Sequence, residues 1–306
     1  MKSREMRLAL VVLACGMLAA CGTSPRRERA QSAARAESGG SQSQSDDFHD
    51  DVELPQSRRY RQSDDSTPDG AGIDIASLPE PVPQAEPRAR YGNKSPYSVR
   101  GQTYHVLPTA AGYDERGIAS YYGSKFHGYM TSDFEKYDMY AFSAASKVLP
   151  LPSYARVTNL ENGKSVIVRI NDRGPFAENR IIDLSYAAAV RIGIWPKGTG
   201  LVEVQGIDPA RENAEPPLPI TVTAQKVGTP RLYLQVGAFG DPANAERLAT
   251  RLRDQDVGAV RVVDAQIGGR TLKRVQIGPL ADVDAADRVT EKINAMGLPH
   301  AQVAVQ

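Results

Sequence analysis

Cysteine is scarce: the 306 residues contain two, Cys15 and Cys21. Cys15 falls in a leader segment, so one thiol would remain in the mature chain and no internal disulfide could form. Charge of one sign is also lacking, with 37 Lys plus Arg against 36 Asp plus Glu. That balance removes the basic field that a nucleic-acid partner would need. There is no His/Cys cluster at zinc-ligand spacing and no glycine-rich phosphate loop, so the sequence points to no metal and no cofactor. Long apolar runs are short as well: Leu8 to Leu18 cannot span a bilayer as a stable helix.

What is present begins with that short run. Lys2, Arg4 and Arg7 precede it and small residues follow, as expected of a secretory signal over residues 1–20. Leu18-Ala-Ala-Cys21 resembles a bacterial lipobox, which implies cleavage before Cys21 and lipidation of its thiol; an ordinary signal cut near Ala20 is the alternative. Several acyl chains would anchor stably where one would not. Gly22, in place of an acid, points to the outer rather than the inner membrane, with the protein facing the periplasm.

Residues 21–92 are dominated by Ser, Gln, Asp, Glu, Arg and Pro, a composition that cannot bury enough surface to offset ordering entropy. They are expected to form a disordered tether with an r.m.s. reach of about 45 Å. Residues 93–210 carry short β-prone runs separated by Gly, Pro and Asn: Tyr104–Leu107, Gly117–Tyr121, Ala155–Thr158, Val166–Ile170 and Leu201–Val204. One helix is expected, capped by Ser185, running from Tyr186 to Ile192 and ended by Gly193. Many strands and one helix predict a small β-barrel.

A Pro-rich linker, 211–229, leads to an internal repeat in residues 230–306. Gln235-Val-Gly-Ala-Phe239 and Gln276-Ile-Gly-Pro-Leu280 stand at an offset of 41, and Ala245/Ala286 and Leu252/Ile293 keep the same spacing. Ala245, Leu248, Ala249 and Leu252 fall on one helical face. Two such halves predict a βαββαβ, ferredoxin-like sandwich, so the whole is mainly β followed by α+β. An RNA-binding reading of that layout fails for want of stacking aromatics and basic charge.

The chemistry is expected where Val166-Ile-Val-Arg-Ile170 ends in Asn171-Asp-Arg-Gly-Pro175. A buried strand stops at a turn and delivers Asp172 to a rim. The plainer alternative is that Asp172 only makes a turn with its own backbone.

Gly117-Ile-Ala-Ser-Tyr-Tyr-Gly123, Phe126-His-Gly128, Leu149-Pro-Leu-Pro-Ser-Tyr154, Asn171-Asp-Arg-Gly-Pro-Phe176 and Ile182-Asp-Leu-Ser-Tyr186, taken with the lipobox and the repeat, resemble the rare lipoprotein A family. The resemblance covers essentially the whole chain. It implies a double-psi β-barrel followed by a SPOR domain. It further implies an endolytic lytic transglycosylase acting at the division septum on peptidoglycan glycan strands without stem peptides, alongside septal division proteins. On that resemblance Asp172 and Glu135 are the catalytic carboxylates. Ser146, His127, Arg173 and Tyr122 are substrate contacts, and Gln235, Gly237, Phe239, Gln276 and Gly278 form the glycan-holding face of the repeat. A neighbouring carboxylate, taken to be Glu135, would raise the pKa of Asp172 by like-charge repulsion. Asp183 reads as a structural group near the start of the helix.

Two departures stand out. Asp133-Phe134 replaces the small residue and glycine usual before the glutamate, and Ser146 replaces the usual histidine. A serine cannot carry charge or shuttle a proton near neutral pH. This leaves a non-catalytic wall-binding scaffold as the rival reading.

Overall fold

Six strands close on themselves in the order β3-β7-β4-β6-β5-β8: β3 (Asp114–Tyr122), β4 (Ser143–Ser146), β5 (Ser153–Asn159), β6 (Ser165–Asp172), β7 (Arg180–Ser185) and β8 (Gly200–Gly206). β3/β7 and β4/β6 pair in parallel and the other neighbours antiparallel. The protein is described by a computed structural model covering residues 54, 56–60, 65–66, 74–212, 230–298 and 301–306. The leader, Cys21 and the linker from 213 to 229 lie outside the described residues. No helix among the described residues is long and apolar enough to cross a membrane.

Alternation builds the barrel core. Val166, Val168 and Ile170 of β6, Ile182 and Leu184 of β7, and Val202 and Val204 of β8 are at most 1% exposed and fill the interior. A hairpin, β1 (Tyr97–Val99) with β2 (Gln102–Tyr104), precedes it. The run from His105 to Leu107 is not strand. The single turn α1 (Gln56–Arg59) lies earlier still. The expected helix forms as α2 (Tyr186–Arg191), with Ser185 Oγ accepting from Ala188 N and Gly193 following at φ 73°. A further turn, α3 (Pro209–Glu212), ends the barrel.

The ordered part begins before residue 93, which shortens the tether expected from composition. Ile75 and Leu78 pack against the barrel core, and Arg191 Nη2 donates to the carbonyls of both. Glu80 Oε2 accepts from Ile167 N, and Ala89 N donates to Leu151 O. Polar composition was misleading here because the carboxylates and carbonyls of this strap satisfy donors on the barrel wall.

The C-terminal repeat forms β9 (Leu232–Phe239), α4 (Pro242–Arg253), β10 (Val260–Ile267), β11 (Arg270–Leu280), α5 (Val283–Ala295) and β12 (Gln302–Val305). Its sheet runs β10-β11-β9-β12, all antiparallel. Ala245, Ala249 and Leu252 of α4 and Ala286 and Ile293 of α5 bury their faces on Leu234, Val275 and Ile277. The repeat docks on the barrel: Ile118 and Leu201 join its core, and Asn179 Nδ2 donates to Asp287 Oδ1 at 3.1 Å and Thr290 Oγ1 at 2.8 Å.

Candidate active site

The site is written in the strand pairing. Ala145 of β4 stands opposite Asp172 of β6 on one side and opposite Asp183 of β7 on the other. The register of β4 against β6 slips between Ala144 and Ala145, so Asn171 is an extra residue in β6. Without that bulge Asp172 would follow Ile170 by two and point inward. With it, Asp172 leaves the interior face and joins Ala145 on the outer wall, a re-aiming that bulges commonly perform. Two strand spacings separate the aspartates at Cα, about 10 Å, with only a methyl group between them. Both line a cleft of about 390 Å³ whose walls include Ser132, Phe134, Tyr122, Phe126 and Phe176.

The two acids are buried differently. Asp172 Oδ1 accepts from Ser132 N (2.8 Å), Ser132 Oγ (2.6 Å) and Arg173 N (2.7 Å). Burial pushes its carboxyl above the ordinary aspartate range, against those hydrogen bonds and the charge of Arg173, which pull the other way. Asp183 accepts from Ser120 Oγ. Burial raises its carboxyl too, Ser120, Arg180 and Lys147 oppose the rise, and the charge of Asp172 adds to it. Asp183 is therefore the second carboxylate of the cleft and does not cap the helix, where Ser185 serves. The alternation of Ile182, Asp183 and Leu184 is the signal that could have placed it on the outer wall. Nothing in the sequence flags Ser132.

Glu135 is not that second charge. Its carboxylate is held by Arg169 (Nη1 to Oε2 2.5 Å, Nη2 to Oε1 2.9 Å) and by Asn171 Nδ2 at 3.2 Å. Arg169 is gripped in turn by Glu86 of the strap, with Nε to Oε1 at 2.9 Å and Nη2 to Oε2 at 2.8 Å. The turn from Thr131 to Glu135 thus clasps the end of β6 twice, through Ser132 at Asp172 and through Glu135 at Arg169. That places Glu135 beside the acid without contact between the carboxylates among the hydrogen bonds and ion pairs described.

Three expected substrate contacts are otherwise occupied. Arg173 donates from Nε to Gly92 O (2.7 Å), from Nη1 to Ser146 O (2.9 Å) and Leu149 O (2.5 Å), and from Nη2 to Asn93 Oδ1 (3.3 Å). Arg173 lines the cleft, and its guanidinium fastens loops. Ser146 is 1% exposed, and its hydroxyl accepts from Val148 N and Leu149 N. It turns inward with Ala144 and cannot reach a polymer. His127 is half-exposed outside the cleft lining, with Nδ1 accepting from Met139 N at 3.1 Å. Tyr122 does line the cleft, its ring stacked on Tyr137 at 4.1 Å.

Phe134 takes the left-handed backbone conformation, φ 69°, where a Cβ costs about 1–2 kcal/mol. The glycine usual there would adopt it freely.

In the repeat, Gln276 is 0% exposed, with Oε1 accepting from Arg261 Nε at 3.0 Å and Nη2 at 2.8 Å, so it does not face a ligand. A Cβ on Gly278 would lie 2.8 Å from Leu232 O, and one on Gly237 would lie 2.7 Å from Phe239 Cε2. Gly278, at φ 135° and against backbone, is required by packing inside the domain; at Gly237 a side chain would have to displace the Phe239 ring. Phe239 packs against the helix-side core, and Gln235 is half-buried opposite Gln276 and Gln302.

Residues 114–205 match the family model described as lytic transglycolase, and residues 228–304 match the SPOR domain. The class is thus a lytic-transglycolase double-psi barrel joined to a SPOR module. The endolytic peptidoglycan transglycosylase RlpA of Pseudomonas aeruginosa (strain UCBPP-PA14) is 37% identical over 275 residues, spanning 74% of this chain and 80% of that protein. Its namesake in Vibrio cholerae serotype O1 is 38% identical over 239 residues, spanning 78% and 86%. A crystal structure of the RlpA SPOR domain from Pseudomonas aeruginosa is 32% identical, covering 24% of this chain and 96% of that domain with a TM-score of 0.23. The chain belongs to the RlpA family.

Proposed function

We propose that this is an endolytic lytic transglycosylase of the cell envelope. It cuts the bond between N-acetylmuramic acid and N-acetylglucosamine in glycan strands stripped of stem peptides, and leaves 1,6-anhydro-N-acetylmuramic acid ends. The observation that carries the reading is a buried acid, Asp172, raised toward its protonated form and lining a cleft on the barrel wall.

In this reading protonated Asp172 donates to the glycosidic oxygen as the muramyl C1–O bond breaks. The C6 hydroxyl of the same sugar closes on C1, and the carboxylate takes the hydroxyl proton, so Asp172 ends as it began. No water is consumed, and no second carboxylate is needed to activate one, unlike hydrolysis. Glu135 shapes the site through the turn that carries Ser132. The SPOR module holds peptide-free glycan near Gln235, and lipid on Cys21 anchors the protein to the outer membrane, with enrichment at the septum.

Ser146 in the usual histidine position favours a second reading, a scaffold that grips glycan without cutting it. Incubation with peptide-stripped sacculi separates them by mass spectrometry. Anhydro-ended fragments, lighter by one water than hydrolytic ones, are expected. Co-sedimentation without fragments would leave the scaffold.

A further inference from the structure

At the rim of the Asp172 cleft two aromatic rings stand in solvent. Phe134 is 49% exposed and lines the cleft; Tyr91, at the end of the strap, is 46% exposed. Their centroids are 4.4 Å apart with planes tilted by 39°, and the Arg90 guanidinium lies 5.6 Å from the Tyr91 ring centre.

This pair is costly where it stands. Phe134 holds a positive φ that a glycine would relieve, yet half its surface remains in water, so core burial does not repay the strain. Local hydrogen bonding does not require a large side chain either: Phe134 N donates to Thr131 O and Glu135 N to Thr131 Oγ1, bonds any residue would make. Strained, exposed aromatic residues next to a cleft point to a ligand that covers them. A pyranose presents a face of C–H groups, which an aromatic face accepts while the ring hydroxyls stay in water.

We propose that Tyr91 and Phe134 form a stacking subsite for one pyranose ring of the glycan, at the edge of the cleft that holds Asp172. The proposal rests on the glycan-cleaving reading for the polymer's identity, but not on the chemistry of the cut. Phe134 shares the Thr131–Glu135 turn with Ser132, the residue that hydrogen-bonds Asp172, so a sugar on Phe134 would sit on the same turn that orients the acid.

Two measurements decide it. In the full-length chain carrying Asp172→Asn, with Phe and Tyr rings ¹³C-labelled, peptide-free glycan oligosaccharides should shift the Phe134 and Tyr91 ring resonances in saturable fashion. In the otherwise unaltered chain, Phe134→Gly should raise KM for the same glycan about five- to tenfold, the loss of one aromatic contact, with the loss falling on KM rather than kcat. Its melting temperature should not fall, because the glycine relieves φ. Tyr91→Leu should act in the same direction. Glycan that binds with both rings unmoved, or Phe134→Gly with wild-type KM, overturns the subsite. If the unaltered chain releases no anhydro products, the cleavage reading fails on its own, while the ring shifts still decide the subsite.

Discussion

Asp172→Asn should lower release of anhydro-ended fragments by about a thousandfold or more, within the range that a lost general acid–base group produces, while leaving the protein folded. The amide keeps an oxygen for Ser132 and Arg173 but has no proton to lend the leaving sugar. The sign of the accompanying stability change separates chemistry from folding. A carboxyl whose value is raised in the folded state contributes most to stability below its unfolded value, and that contribution is lost as pH rises to the folded one. Once pH has risen through the folded value, wild type carries the penalty of a buried charge and asparagine does not. Asp172→Asn should therefore gain stability relative to wild type as pH rises through that value, with the gap closing in acid. By the same raised value, wild-type turnover should decline as pH rises through the folded value of Asp172. Digestion assays paired with calorimetry check all three. Appreciable turnover by Asp172→Asn would remove the acid from this position.

The sequence could show the strand and the turn that frame Asp172 because Val166, Val168 and Ile170 declare a buried ladder and Asn-Asp-Arg-Gly-Pro declares its end. It could not show which side of the wall Asp172 occupies. That depends on the slip at Asn171, a pairing property with no compositional mark. β4 was missed altogether, since Ser-Ala-Ala-Ser has little β propensity and is strand through its pairing with β6 on one side and β7 on the other. The amphipathic helices of the repeat were readable from spacing. The fate of Gln276 was not, because an amide that looks like a polymer contact on paper is buried here against Arg261, its partner on the neighbouring strand β10. The strap shows the converse. Its polar residues suggested solvent, and Glu80 and Glu86 instead find a backbone donor and an arginine on the barrel.

Arg173→Ala should cost about 3 kcal/mol of barrel stability, from stranding buried carbonyls at about 1–3 kcal/mol each with incomplete additivity. That corresponds to a fall in melting temperature of about 10 °C. The guanidinium ties together three pieces of chain: the end of the strap at Gly92 and Asn93, the segment from Ser146 to Leu149, and the turn bearing Asp172. Burial pushes its pKa down only to about 10, so it stays charged at neutral pH and its donors remain in place. Arg173→Lys should recover little, because one ammonium cannot serve four acceptors spread around a planar fork. If the side chain existed to grip sugar, the alanine variant would instead raise KM with its melting temperature unchanged. Thermal melts beside KM measurements distinguish the two. The expected pattern, a large loss of stability with activity lost in step, makes Arg173 the fastener through which the strap, and hence Tyr91 at its end, is held beside Phe134.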